Sequence, residues 1–183
     1  MSDARSALLE RVMEEVARNG LSDRSLRDIA ESVGSSHRML LYHFENRAGL
    51  VEAIVNATEA AQRASLLELA GAVYSAEDLM LALWHQVSAP ELRPFVRLFF
   101  ECVAATGGRG LTDPWLEVAD QVTELIGEHH DPDLIRLGVA ASRGLLIEVL
   151  ATDSADAATR SMEQFVAMWR VAAASDRDAP DQR

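Results

Sequence analysis

The densest group of reactive side chains lies in one short segment, SSHRMLLYHFENRAGL, which runs from Ser35 to Leu50. It places two histidines, two arginines and a tyrosine beside five large apolar side chains. Such a mixture fits a metal site, a catalytic histidine pair, or a short helix that presents a polar face to a partner. His37 and His43 lie six positions apart, about 240° around a helix, so their rings would face different directions and a shared metal ion is not favoured.

Metal and catalytic chemistry find little support elsewhere in the chain. His129 and His130 stand beside Asp131 and Asp133, but they lack the i, i+4 spacing of a helical metal site, and a polar turn between helices is the simpler interpretation. The sequence contains no G-x-S-x-G motif, no phosphate-binding loop and no G-x-G-x-x-G motif. The single cysteine, Cys102, lies in an apolar run where a small buried side chain is expected. We therefore expect a protein that is not an enzyme and that holds no metal or cofactor.

The formal charge is unevenly distributed along the chain. The 183 residues carry 17 basic and 29 acidic side chains, a net charge of −12, which argues against nucleic acid as a partner. Residues 1–50, however, hold seven arginines against eight acidic residues, so most of the excess acid lies in residues 51–183. Every basic residue is an arginine, which suits phosphate and guanine edges, although coding bias explains this equally well. The first fifty residues must therefore be judged separately.

The sequence shows no signal for a membrane location. No apolar run approaches the roughly 18 residues that cross a bilayer. The N-terminus MSDARSALLERVMEEVARNG carries acidic residues where a signal peptide would need an apolar core. A single cysteine excludes an internal disulfide. The chain is therefore expected to be cytoplasmic.

Local signals in the first fifty residues predict four helices. Apolar residues recur at helical spacing from Leu8 to Val16 and predict the first helix. Ser25 and Asp28 have the spacing of a capping box before a second helix of about two turns, which Gly34 ends.

Two further N-caps predict the helices that follow. The Ser35-Ser36 pair can cap a third helix, roughly His37 to His43, and Asn46 can cap a fourth helix from about Arg47 to Ala70. A two-turn helix, a turn with glycine and another short helix form a helix-turn-helix, in which the third helix presents its N-terminal half to the major groove and the second braces against the DNA backbone. The apolar residues expected to form the small core beneath it are Leu8, Val12, Ile29, Leu40, Phe44 and Leu50.

Helical periodicity continues to the end of the chain. Further helices are predicted near Glu77–Ser88, Arg93–Thr106, Asp113–Glu128, Pro132–Leu150 and Asp156–Ala173. The expected fold class is therefore all-α, with about nine helices. We expect an N-terminal helix-turn-helix DNA-binding domain at residues 1–50, a C-terminal helical ligand-binding and dimerisation domain at residues 51–175, and a disordered tail at residues 176–183.

The segment from Ser25 to Ile54 resembles the helix-turn-helix signature of the TetR family of bacterial transcription regulators. The residues that carry the resemblance are Ile29-Ala30, Val33-Gly34, Ser36, Tyr42-His43-Phe44, Arg47 and Leu50. Two positions depart from it: Leu41 stands where the family usually has a tyrosine, and Arg38-Met39 replaces a small Gly-Thr pair. The resemblance implies a DNA-binding regulator whose remaining helices form a ligand-responsive domain.

Candidate DNA contacts lie on and beside the third helix. Arg38 is suited to reading a base, because arginine binds guanine through two hydrogen bonds worth about 1–3 kcal/mol of discrimination. Arg47 can hold a phosphate together with the free N–H groups at the start of the fourth helix. The full set of candidates is Arg24, Arg27, Ser36, His37, Arg38, Tyr42, His43 and Arg47. For the arginines the alternative is a solvated surface charge, and for Tyr42 it is half-buried packing.

The middle of the chain carries most of the aromatic residues. Core packing explains most of them, and the alternative is a ligand cavity with His85, Gln86 or Glu101 as polar contacts. The candidate pocket residues are Met80, Trp84, His85, Phe95, Phe99, Phe100, Cys102 and Trp115. The TetR resemblance implies that such a cavity binds a small-molecule effector.

The last two predicted helices are apolar on more than one side. A helix of that kind needs two partners, and a two-fold dimer in which each chain contributes this pair to a four-helix bundle supplies them. The candidate interface residues are Leu134, Gly138, Ala141, Leu145, Phe165, Met168 and Trp169.

These observations together favour a homodimeric, ligand-responsive regulator, a repressor, that binds near-palindromic double-stranded operator DNA and a small apolar or amphipathic molecule. The alternative function is a helical protein-interaction module whose helix-turn-helix is vestigial, because the C-terminal part is strongly acidic.

Overall fold

The computed structural model describes residues 3–21, 24–70, 75–108, 110–126 and 131–177, and these residues form nine α-helices, one short 3₁₀ helix and no β-strand. The helices are α1 (Asp3–Asn19), α2 (Leu26–Ser32), α3 (His37–Phe44), α4 (Arg47–Ala70), α5 (Ala76–Val87), the 3₁₀ helix (Pro90–Leu92), α6 (Arg93–Thr106), α7 (Asp113–Ile126), α8 (Pro132–Thr152) and α9 (Asp156–Arg177). The all-α prediction is confirmed, and α4 and α6 have the predicted bounds. None of the described helices is both long enough and apolar enough to span a membrane.

Local capping explains where the short helices begin. The backbone N–H of Asp28 donates to Ser25 Oγ at 3.2 Å, and the backbone N–H of Ser25 donates to the Asp28 carboxylate at 2.9 Å, which completes the predicted capping box. The Ser25 hydroxyl also donates to that carboxylate at 2.6 Å and holds the pKa of Asp28 below its ordinary value. Ser36 Oγ accepts the N–H of the third residue of α3 at 3.2 Å. Asn46 Oδ1 accepts the N–H of Gly49 at 3.0 Å at the start of α4.

The first of two structural units comprises Met1–Ala61 and Pro90–Arg109. Within it, α2 contacts α3, and α1 contacts both α2 and α6. Because α2 and α3 have only seven and eight residues, they depend on these neighbours for their stability. All six core residues predicted for this region are buried: Leu8, Val12, Ile29, Leu40, Phe44 and Leu50.

A tight corner joins α3 to α4. Glu45 has φ 65° and ψ −52°, and the N–H of Asn46 donates to the carbonyl oxygen of Phe44 at 2.7 Å, which is the geometry of a γ-turn. The same carbonyl oxygen lies so close to Gly49 that a Cβ at that position would overlap it. The corner therefore requires glycine at position 49 because the backbones approach closely there.

The second unit comprises Gln62–Ala89 and Gly110–Arg183, and within it α5 and α8 each pack against α9. Trp84 is 1% exposed, and its Nε1–H donates to Thr159 Oγ1 at 2.9 Å, which ties α5 to α9. A buried apolar cluster in this unit consists of Leu66, Ala70, Leu79, Trp115, Val118 and Val122.

Close contacts of α8 fix its position in the second unit. A Cβ on Gly138 would lie 2.8 Å from Cζ3 of Trp169, so this glycine permits the close approach of α8 to α9. Arg143 donates from Nη2 to the carbonyl oxygen of Leu111 at 2.6 Å and from Nη1 to Thr112 Oγ1 at 2.9 Å. These bonds fasten the segment that precedes α7.

The division into units differs from the predicted domain boundaries. Position 50 lies inside α4, whereas the chain divides between Ala61 and Gln62, and α6 belongs to the first unit. The functional division at residues 1–50 and 51–175 therefore stays a prediction. Of the predicted tail, Asp176 and Arg177 form the end of α9, and residues 178–183 lie outside the described residues.

Candidate nucleic-acid interface

One side of α3 is buried and the other is open. Leu40 and Phe44 are 0% and 3% exposed and fix one side of the helix in the core of the first unit. Arg38 and Tyr42 lie four residues apart on the opposite side, and Tyr42 is 77% exposed. Within the described part of the chain, the exposed Arg38 makes no hydrogen bond or ion pair. Its guanidinium is therefore available to a phosphate or a base.

The rest of α3 is compatible with a polyanionic partner. His37 is exposed at the first position of the helix, and His43 is half-buried with its ring edge-to-face against Tyr42 at 4.9 Å between centroids. Ser36 accepts the cap hydrogen bond, which leaves its hydroxyl proton free to be donated. The sequence of α3, HRMLLYHF, contains no acidic residue.

Two arginines of α1, which sequence reasoning did not identify, donate hydrogen bonds to carbonyl groups at the C-terminal ends of α2 and α3. Arg5 Nε donates to the carbonyl oxygen of His43 at 3.4 Å, and the Arg5 guanidinium lies 5.1 Å from the centroid of the Phe44 ring. Arg11 Nη1 donates to the carbonyl oxygen of Val33 at 3.2 Å. Both carbonyls lie at helix ends, where intrahelical partners are missing and positive charge is favourable. The contacts span 38 and 22 positions, so no local sequence signal could have found them.

Arg24 is already engaged inside the first unit. Its Nη1 donates to Glu15 Oε1 at 2.7 Å and its Nη2 donates to Ser32 Oγ at 2.8 Å, which ties α1 to α2. The hydrogen bond from Arg24, with a second from Asn19 at 3.0 Å, holds the pKa of the Glu15 carboxyl below its ordinary value. Arg24 thus braces the second helix, and a phosphate contact by this side chain stays a prediction.

Arg47 also has a protein partner. Its Nη1 forms an ion pair with the Glu101 carboxylate of α6, and the two side chains are 36% and 41% exposed. Glu101 is a predicted polar contact for a ligand, but in the structure it forms an ion pair with Arg47, the predicted phosphate contact. Arg27 lies exposed on α2. Of the eight candidate DNA residues, the structure therefore brings five together on or beside α3: Ser36, His37, Arg38, Tyr42 and His43.

The candidate ligand-pocket residues are divided between the two units. Phe95, Phe99, Phe100 and Cys102 lie in the first, and Met80, Trp84, His85 and Trp115 lie in the second. Trp84 and Trp115 have the contacts of core residues: Trp84 donates to Thr159, and Trp115 packs in the apolar cluster with the Arg63 guanidinium 5.8 Å from its ring centroid. The assignment of these eight residues to a ligand site stays a prediction.

The candidate dimer residues also differ from one another in exposure. Met168 is 66% exposed, whereas Trp169 is 6% exposed and packs against Gly138 inside the chain. The remaining candidates, Leu134, Gly138, Ala141, Leu145 and Phe165, are half-buried.

Several other residues of the last two helices are more exposed than every candidate except Met168. We define the α8–α9 face by the exposed residues Leu137, Gly144 and Ile147 of α8 and Met168 and Val171 of α9. On α9, an open groove of about 440 Å³ is lined by Ala157, Arg160, Ser161, Gln164, Phe165 and Met168. The apolar spacing of these helices predicted several apolar sides but did not identify which side stays exposed.

No metal site is found among the described residues, where no group of three or more histidine, cysteine or acidic side chains is placed to hold an ion. His129 and His130, the better metal candidates, lie outside the described residues.

The exposed side of the capped helix α3 carries no acidic residue, and the short helix α2 packs against α3 over a buried core. This arrangement defines a helix-turn-helix protein. Residues 8–54 match the sequence profile described as "Bacterial regulatory proteins, tetR family". No curated protein sequence matches the chain.

Solved structures share the whole fold. A protein described as a TetR-family transcriptional regulator from Rhodococcus sp. is 25% identical, with a TM-score of 0.61, over 91% of this chain and 98% of that one. A TetR-family regulator from Pectobacterium atrosepticum has a TM-score of 0.72 at 17% identity, over 92% and 91% of the two chains. NalD, the secondary repressor of the MexAB-OprM multidrug efflux pump in Pseudomonas aeruginosa, has a TM-score of 0.56 at 20% identity, over 90% and 93%. The helix-turn-helix segment thus matches the TetR family, as its signature indicated, and the chain shares the fold of solved TetR-family transcriptional regulators.

Proposed function

We propose that this protein is a homodimeric repressor of the TetR family that binds a near-palindromic operator through α3 and changes its affinity when a small apolar or amphipathic molecule binds its C-terminal helices. The observation that carries the proposal is the open side of α3, where an unengaged arginine and an exposed tyrosine stand on a helix without acidic residues. Arg5, Arg11 and Arg24 support this side by holding α2 and α3 in place.

The α8–α9 face supports the homodimer. On α8 the exposed positions 137, 140, 144, 147 and 151 alternate in steps of three and four, and they carry leucine, alanine, glycine, isoleucine and alanine. This is the spacing of a seam between packed helices. A Cβ at Gly144 would meet no atom within 4 Å, so no packing inside the chain requires glycine there. The missing side chain leaves room for a second helix. A second copy of the same chain is the simplest occupant of such a self-complementary seam.

The repressor role is proposed from the likeness to NalD, which shares the fold and is described as a repressor. The ligand response is proposed from half-buried apolar side chains that a ligand within one unit could contact, Phe95 and Phe100 in the first unit and Met80 in the second. Titration of the protein with a panel of small apolar molecules, followed by intrinsic tryptophan fluorescence and by operator binding, tests this response.

Selection of DNA from a randomised duplex pool, followed by fluorescence anisotropy of the selected duplex, tests DNA binding. We expect two half-sites about one helical turn apart, bound by two chains, because a two-fold dimer presents two α3 helices. The logarithm of the binding constant should fall linearly with the logarithm of salt concentration as arginine–phosphate contacts release counterions. An absence of sequence-selective binding at low salt would overturn the proposal.

A further inference from the structure

Large exposed apolar side chains are concentrated on two parts of the molecule. Among the described residues eight such side chains are exposed, and three of them, Met39, Leu41 and Tyr42, lie on the eight-residue α3. Four of the others belong to the α8–α9 face, and the last, Leu125, lies on α7. Single exposed apolar residues are ordinary, but three on one two-turn helix leave a substantial apolar area in water.

These side chains have a fixed arrangement around Arg38. With about 100° between successive residues of a helix, Met39 and Leu41 lie on opposite flanks of the ridge formed by Arg38 and Tyr42. Met39 is 41% exposed and Leu41 is 39% exposed, so each is partly held by the helix and partly open. The buried side of α3 is anchored by Leu40 and Phe44, so the helix cannot rotate to hide either flank without exposing this core.

The major groove of DNA offers one apolar group, the 5-methyl of thymine, beside hydrogen-bonding edges such as O6 and N7 of guanine. The composition of α3 suits DNA as the partner, because the helix carries an arginine, two histidines and no acidic residue in a chain with a net charge of −12. We propose that Met39 and Leu41 contact thymine 5-methyl groups on either side of a guanine that Arg38 binds. The operator half-site therefore contains a guanine flanked by thymine methyls, on either strand. This inference rests on the proposed DNA-binding function and adds the side chains that set its specificity.

Replacement of single thymidines by deoxyuridine in the selected operator tests this inference, because it removes only the methyl group and leaves every hydrogen-bonding atom in place. Anisotropy titrations of the full-length protein should show about a fourfold loss of affinity for each contacted methyl. The loss at one position should disappear in Met39→Ala and the loss at another should disappear in Leu41→Ala. Leu125→Ala, which truncates an exposed leucine of α7 outside the α8–α9 face, serves as the matched control and should leave both losses unchanged.

The outcomes separate this inference from the function on which it rests. A protein that selects no DNA sequence overturns both. A protein that binds its operator selectively, yet tolerates deoxyuridine at every thymine beside the contacted guanine, overturns only the inference. The inference is also overturned if the deoxyuridine losses persist in both alanine variants, because other residues then read the methyls. Circular dichroism melting of the variants checks that the fold is retained, which is expected since both side chains are exposed.

Discussion

The open side of α3 and the α8–α9 face both leave apolar side chains in water, but their surroundings differ. On α3, Met39 and Leu41 flank an arginine and a tyrosine on a helix with no acidic residue. On α8, Leu137 and Ile147 are separated by the small residues Ala140 and Gly144. Apolar groups beside arginine suit the mixed edges of base pairs, whereas apolar groups beside small residues suit another helix at close range. The surroundings of an exposed apolar residue therefore tell more about its partner than its exposure does.

The first prediction disturbs the corner between α3 and α4, which supports the open side of α3 and not the α8–α9 face. Gly49→Ala places a Cβ onto the carbonyl oxygen of Phe44 and should lower the free energy of unfolding of the first unit by about 3 kcal/mol, with loss of operator binding. Ala48→Ser, an exposed neighbour that gains one atom, should leave both properties nearly unchanged. Chemical denaturation monitored by circular dichroism measures the stability. Equal stabilities of the two variants would show that the corner does not need glycine.

The second prediction disturbs the α8–α9 face alone. Ile147→Asp would bury a carboxylate between two chains and should raise the dimer dissociation constant on the order of 100-fold. Leu125→Asp is the matched control, because Leu125 is 62% exposed against 55% for Ile147 but lies on α7. Sedimentation equilibrium measures the association. If Ile147→Asp associates as tightly as Leu125→Asp, the dimer uses another surface, and if the unmodified chain is a monomer, the proposed dimer is wrong.

The third prediction concerns how low pH affects the contact between Arg24 and Glu15, which joins the segment just before α2 to α1. Hydrogen bonds from Arg24 and Asn19 lower the pKa of Glu15 in the folded chain, so the carboxylate stabilises the fold above its ordinary pKa. That contribution is lost as pH falls through the lowered pKa. Arg24→Ala should lower the melting temperature at pH 7 and make its decrease below pH 4.5, the ordinary pKa of the glutamate, shallower. Arg38→Ala, at an exposed position on α3, should keep the wild-type pH profile, and identical profiles for the two variants would contradict the assigned role of Arg24.

The smallest expected effect is at Arg47. Glu101→Gln removes the carboxylate that competes with phosphate for this guanidinium and should strengthen operator binding about threefold, because a partly exposed ion pair contributes little. Glu163→Gln, which removes the same charge from an exposed position of α9, is the control. Anisotropy at several salt concentrations measures the change. An equal gain in both variants would assign it to net charge and not to the ion pair.

The helices and their caps could be predicted because their signals are local. Ser25 with Asp28, Ser36 and Asn46 each act within three or four positions, and apolar spacing identified the buried side of α3. The two departures from the family signature, at positions 38–39 and 41, were also visible in the sequence.

The partners of individual side chains could not be predicted, because they depend on distant residues. Nothing near Arg24 or Arg47 in the sequence indicates Glu15 or Glu101, and the hydrogen bond of Trp84 to Thr159 spans 75 positions. The same limit applies to Gly49, whose requirement arises from a carbonyl five residues earlier that only the corner brings close. Sequence reasoning thus located the helix-turn-helix but did not reveal that two of the arginines proposed to contact DNA also contact protein carboxylates.

The effect of Arg38→Ala on the selected operator tests the central claim, DNA binding through the open side of α3, most directly. Arg170→Ala, at an exposed position on α9, removes the same charge and provides the reference. Anisotropy titrations with the operator and with a duplex whose contacted guanine is replaced by adenine measure affinity and discrimination together. Arg38→Ala should bind the operator about 10- to 100-fold more weakly and lose most of its discrimination between the two duplexes, while Arg170→Ala retains both. Equal affinity and equal discrimination in the two variants would contradict the claim.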